Sequence, residues 1–172
     1  MHRLILALVL ALAACAAPAP TGTFRPAGGP IWSNAVTDLS RIEGRWTQVA
    51  NFAEGARPEC APGGATITRQ GDGLAIAARL CLDGAVVTHS GPFVVTGPGR
   101  LTASGTASPP LDEAWWLLWI DTDVRTLVIG TPSGRFGFIL NRDGRLPGDR
   151  LTAAREILDW NGYDITRLRV FD

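Results

Sequence analysis

Three apolar stretches crowded between Ala114 and Arg142 limit what this chain can fold into: Trp115–Ile120, Val124–Ile129 and Phe136–Leu140. Each has the length of a strand, and turn chemistry separates them, Asp121-Thr122-Asp123 and Gly130-Thr131-Pro132-Ser133-Gly134. Glycine tolerates positive φ, proline presets φ, and Asp or Ser bonds its own backbone nearby. Connections this short join antiparallel strands, since a parallel crossover is far longer. The stretches are too apolar for a sheet with one wet face. Trp115, Leu117 and Trp119 point one way, and Trp116, Leu118 and Ile120 the other. Both faces need cover, which a barrel with a helix laid outside it supplies.

The 172 residues favour one domain long enough to close such a barrel. Sixteen basic residues balance sixteen acidic ones, which removes the electrostatic case for a nucleic-acid partner. Every basic residue is arginine. Without lysine, Schiff-base chemistry and lysine-based phosphate loops are excluded.

The first residues, M-H-R-L-I-L-A-L-V-L-A-L-A-A-C, pair a basic start with an apolar run too short to span a bilayer. They read as a signal segment, residues 1–14. Leu12-Ala13-Ala14-Cys15 resembles the bacterial lipobox, which implies cleavage before Cys15, its lipidation and a membrane anchor. Ala16 after Cys15 points to the outer membrane, with the protein facing the periplasm, by resemblance to the sorting rule. Ala16–Gly29, rich in Ala, Pro and Gly, reads as a tether within residues 15–37, before a domain over residues 38–172. With Cys15 lipidated, Cys60 and Cys81 remain as an even pair flanking the hairpin Thr66–Gln70 and Leu74–Leu80, and a structural disulfide is expected.

Leu39 and Ile42 mark one helical turn before a strand, Trp46–Phe52. The hairpin, a strand bent at Gly91-Pro92, and Leu101–Ala103 follow. With the three apolar stretches, eight strands result. Ser104–Leu111 reads as a loop at the barrel mouth. Pro147-Gly148-Asp149 opens the one helix, with Asp149 as its cap, Leu151, Ala154, Ile157 and Leu158 as its apolar stripe, and Asn161-Gly162 as its end. Its stripe is expected to cover Trp116, Leu118 and Ile120. The fold class is all-β, an eight-stranded antiparallel up-and-down barrel with one C-terminal helix packed outside.

G-R-W-T-Q-V-A from Gly44 resembles the first signature of the lipocalins, W-W-L-L-W-I-D-T-D-V the second and F-G-F-I-L-N-R the third. The order is the family's, and the helix with Gly162-Tyr163-Asp164 is similar to that of bacterial outer-membrane lipocalins. The resemblance implies a calycin-type barrel, a plug at one end made by Trp46 and Arg142, and a fatty acid or lysophospholipid as ligand. Thr47, Val124 and Phe138 depart from the bacterial pattern and leave the ligand open.

Catalytic chemistry finds little support. His89 is the only histidine beyond the leader, so no histidine-rich metal site is available, and it reads as a polar strand or rim residue. Asp121 and Asp123 sit where a tight turn asks for Asp. No catalytic, metal-binding or cofactor-binding residues are assigned. The expected ligand-binding face comprises Trp115, Leu117, Trp119, Thr126, Val128, Phe136 and Phe138. Two other readings stand beside a binding module: a structural envelope lipoprotein with a filled barrel and a protein partner, and a lipid-modifying enzyme on the same barrel.

Overall fold

The computed structural model describes residues 22–35, 38–57 and 59–171. Nine strands follow one another as β1 Gly44–Phe52, β2 Gly64–Gln70, β3 Gly73–Leu82, β4 Ala85–Gly97, β5 Arg100–Ala103, β6 Trp115–Ile120, β7 Thr126–Gly130, β8 Gly137–Asn141 and β9 Leu168–Val170; helix α1, Gly148–Trp160, precedes β9. Strands β2 to β8 pair in sequence order, β8 returns to β1, and β1 pairs with β2 to close the barrel. Strand β1 serves three neighbours along its length: Gly44–Thr47 faces β2, Thr47–Asn51 faces β8, and Ala50–Phe52 carries the extra strand β9.

Strand β4 runs unbroken through Gly91-Pro92. Proline is tolerated there because the β5 ladder begins only at Phe93, so its missing N–H faces no β5 partner.

Apolar side chains divide into two clusters, one inside the barrel and one between its outer wall and α1. Ala154 and Leu158 of α1 are fully buried against Leu118, Val128 and Ile139. Pro147, not Asp149, is the cap residue, and Asp149 lies in the first turn, where a negative charge faces the positive end of the helix dipole.

One extra residue in β6 rewrites the expected interior. The register against β7 shifts between Leu117 and Trp119, giving Leu117↔Ile129 but Trp119↔Val128. A bulge of this kind reverses side-chain parity beyond it. Trp115 and Leu117 point inward as expected, whereas Trp119 joins the outer cluster and Ile120 turns toward the interior. Val128 is also outside, and Thr126 shares its face two residues earlier. Trp119, Thr126 and Val128 are therefore not interior residues; Leu127 and Ile129 replace them.

The reading of Ala16–Gly29 as a tether fails at Phe24 and Arg25, both buried against the barrel. Phe24 N–H donates to Gly134 O at 2.8 Å, and its carbonyl accepts from Asp164 N–H at 2.8 Å. The Arg25 guanidinium donates to the carbonyls of Asn161, Pro132, Gly29 and Pro30, tying the segment to the end of α1.

Candidate functional site

The barrel is sealed at the end where β1 begins. A 3-10 turn, Leu39–Ile42, buries both apolar residues there, and Asp38 caps it by accepting from Ser40 N–H at 3.0 Å. Trp46 Nε1 donates to Ile42 O at 2.8 Å, which fixes the indole across the opening. Arg142 then lies over the indole, its guanidinium carbon 4.0 Å from the ring centroid. Its Nε donates to the carbonyl of Val124 (2.8 Å) and its Nη2 to those of Arg41 (3.0 Å) and Glu43 (2.9 Å). Burial, and then the charge of Arg125, lower its pKa from the ordinary value. Gly44, at φ +114°, keeps this approach open, since a Cβ there would meet Arg142 Nη1 at 2.8 Å. Trp46 and Arg142, the pair that the lipocalin resemblance implied, lie stacked together at this end.

Above the plug the wall is aromatic. The Trp115 ring packs edge-on against Phe93 (5.1 Å), Phe136 (6.3 Å) and Phe138 (5.2 Å). These four side chains are at most 1% exposed. His89, expected as a polar strand or rim residue, lies within β4, turns inward opposite Ala78 and meets Phe93 edge-on at 5.0 Å. Its neighbour Ser90 is exposed, so the two do not form a hydroxyl–imidazole pair.

The opposite end is covered by the connection between β5 and β6. Leu111, fully buried, drops from it into the interior cluster. Glu113 anchors the same connection to the one between β7 and β8, accepting from Thr131 Oγ1 at 3.1 Å and Ser133 Oγ and pairing with Arg135 at 3.2 Å. The lone leucine closing a Ser/Pro-rich run was the sequence signal for this inward residue.

Three polar atoms inside this apolar lining have no hydrogen-bond partner: Trp115 Nε1, His89 Nε2 and Asn51 Oδ1. Asn51 and Gln48 otherwise serve Cys81, whose carbonyl accepts from both amides at 2.9 and 2.8 Å. Cys81 is bonded to Cys60, as expected. A groove of ≈ 970 Å³ is lined by Arg45, Thr66 and Arg79 together with the buried Trp46 and His89 and with Arg142.

Asp121 and Asp123 do structural work. Asp121 Oδ1 accepts from the N–H groups of Arg125 (2.7 Å) and Thr126 (2.6 Å), and Arg150 of α1 pairs with both carboxylates at 3.3 Å. Tyr163 belongs to the outer cluster, away from the interior. Among the described residues no group of three or more His, Cys, Asp or Glu is placed to hold a metal ion.

Residues 37–172 match the lipocalin-like domain. The chain belongs to the lipocalin family. No curated protein matches the sequence. This lipocalin is similar in fold to insecticyanin from the tobacco hornworm Manduca sexta, at TM-score 0.63 and 14% identity over 88% of this chain and 89% of that one. It is also similar to apocrustacyanin C2, at TM-score 0.54 and 14% identity over 77% and 78%. The family and its barrel suggest binding of a small hydrophobic ligand. Cys15, the lipidation candidate, lies outside the described residues.

Proposed function

We propose that this lipocalin holds a small hydrophobic ligand with an acyl chain, a fatty acid or a lysophospholipid, inside its barrel for lipid transport or storage in the bacterial envelope. The observation that carries the reading is the aromatic interior formed by Trp115, Phe136 and Phe138 above the plug of Trp46 and Arg142. Apolar walls with a few fixed polar groups are what an acyl ligand requires. Leu111 occupies the mouth end of this interior, and an acyl chain entering there would have to displace it. A binding role is supported by the engagement of Asp121 in the β6–β7 turn and by the place of Tyr163 on the outer wall. Titration with a bromine-labelled acyl lipid tests this: it is expected to quench Trp115 by contact, and quenching that persists in Trp115→Phe would place the lipid elsewhere.

The membrane side of the proposal rests on the sequence of Met1–Cys15. Lipidation of Cys15 would tether the domain to the outer membrane, facing the periplasm. Among the described residues no helix is long and apolar enough to cross a membrane. Incorporation of a palmitate analogue, abolished by Cys15→Ser, is the expected result.

One observation favours the second reading, a filled barrel with a protein partner. Trp32 and Trp160 stack at 4.5 Å on the surface while remaining 45% and 63% exposed. Exposed paired tryptophans are unusual on a surface with nothing to bind. A barrel that refuses every acyl probe, together with an envelope protein lost on Trp160→Ser, would favour it.

A further inference from the structure

We propose that the stacked pair Trp32–Trp160, with the uncharged run that leads to it, is a membrane-contact patch holding the mouth end of the barrel against the lipid surface that carries the anchor. The inference rests on the reading of Cys15 as lipidated, and adds which end of the domain the bilayer meets.

The patch and the incoming chain belong to one end of the molecule. Phe24 N–H donates to Gly134 O and Arg25 Nη1 to Pro132 O, both in the β7–β8 connection that Glu113 ties to the mouth. Arg25 Nε also donates to Asn161 O at 2.9 Å, directly after Trp160. Asn161 Oδ1 in turn accepts from Trp32 N–H at 2.8 Å, which fixes the backbone beneath the second ring. The two indoles stack with their planes 26° apart and so present a single apolar plate to solvent.

The chain between anchor and patch decides for a bilayer over a protein as the partner. Gly22 is the seventh residue after Cys15, and an extended chain of that length reaches at most roughly 25 Å. A tether this short holds the mouth end near the surface at an effective concentration of roughly millimolar, so a weak contact is enough to orient the domain. From Cys15 to Trp32 the one charged residue is Arg25, and its guanidinium is buried on the carbonyls of Asn161, Pro132, Gly29 and Pro30. Pro26, Ala27, Gly28 and Pro30 are exposed and uncharged, so this surface meets lipid without desolvating an ion. Tryptophan suits the head-group level, where the ring is covered while its N–H stays wet. The exposed charges on the C-terminal half of α1, Glu156 and Asp159, are acidic, so attraction to anionic lipid is not what draws the patch in.

The test places the full-length lipidated protein in vesicles of phosphatidylethanolamine and phosphatidylglycerol, with phospholipid brominated near the head-group end of its chains. Bromine quenches tryptophan on contact. The vesicles are expected to quench the protein, and Trp32→Phe combined with Trp160→Phe to remove most of that quenching, at low and high salt alike. Both side chains are exposed and each variant keeps a ring, so the fold is preserved. The difference between the two proteins is the readout, which sets aside any quenching of Trp115 by lipid inside the barrel. An anchored protein quenched equally with and without the pair overturns the patch, as does quenching of the pair that salt abolishes. So does a pair that stays unquenched on the vesicle and cross-links to an envelope protein, which would assign it to a protein partner. A chain that takes up no palmitate analogue and leaves the vesicles overturns the anchor reading itself, and the patch with it.

Discussion

The guanidinium of Arg142 lies 4.0 Å over the indole of Trp46 and at the same time closes three carbonyls from β7's turn and the 3-10 entry. One side chain therefore ties together the first signature, the third signature and the turn between β6 and β7. Removing either partner strands the other. Trp46→Ala and Arg142→Ala are each expected to lower stability by about 3 kcal/mol, and the pair by clearly less than their sum, because the loss is shared. Urea denaturation of the double-mutant cycle measures the coupling, and additive losses contradict it.

Tyr163 makes a comparable seal on the outer wall. Gly130 and Gly137 are paired across β7 and β8, and their missing side chains leave the recess its ring occupies. A Cβ at Gly137 would meet the Phe52 ring at 2.8 Å and Tyr163 at 3.0 Å. The phenol accepts from Thr131 N–H at 2.8 Å and is within donating range of Phe136 O at 2.9 Å; burial holds its pKa well above the usual phenol range. Gly137→Ala is expected to lose about 1–3 kcal/mol by overpacking. Tyr163→Phe is expected to lose a similar amount, because Thr131 N–H is left dry. Thermal melts with near-ultraviolet dichroism check both, and a neutral Gly137→Ala contradicts the recess.

The Cys60–Cys81 bond joins the β1–β2 connection to β3, where Gln48 takes both backbone groups of Cys81 at 2.8 Å. Reduction is expected to remove about 3 kcal/mol through the freed unfolded chain. Gln48→Leu is expected to remove about 1–3 kcal/mol more by leaving that N–H and carbonyl unpaired. Urea midpoints with and without reductant separate the two contributions.

Asp164 caps a second 3-10 turn, Ile165–Arg167, in the manner that Asp38 caps Leu39–Ile42. Ser40 and Thr166 each donate first a hydroxyl (2.6 Å) and then a backbone N–H, and these bonds hold both carboxyls below the ordinary value of 3.8. A carboxyl with a depressed folded pKa contributes stability above its unfolded value and loses it as pH falls through the folded one. Both turns are thus expected to loosen only below about pH 3.8. Thr166→Val should bring the Asp164 midpoint up toward 3.8 in a carboxyl-detected NMR titration, and an unmoved midpoint contradicts the cap.

Much of this architecture is local and was therefore legible. The β2–β3 hairpin announces itself by Gly71-Asp72-Gly73 between alternating residues, and the stripe through Ala154 and Leu158 by helical spacing. What the sequence hides is long-range. A single extra residue at Leu118 has no compositional mark, yet it turns Trp119 outward and so misplaces Thr126 and Val128 across the ladder. Phe24 and Arg25 sit in an Ala/Pro/Gly-rich stretch whose composition says tether, while their contacts lie more than a hundred residues downstream. His89 faces inward through its place opposite Ala78, and that register is fixed by pairing rather than by its neighbours in sequence.

The most direct test of the account is native mass spectrometry with lipid extraction on the full-length protein purified from a bacterial envelope. A lipid with an acyl chain bound near one per protein is expected. A protein that emerges empty and takes up no long-chain probe would contradict the ligand-holding barrel and leave the filled barrel in its place.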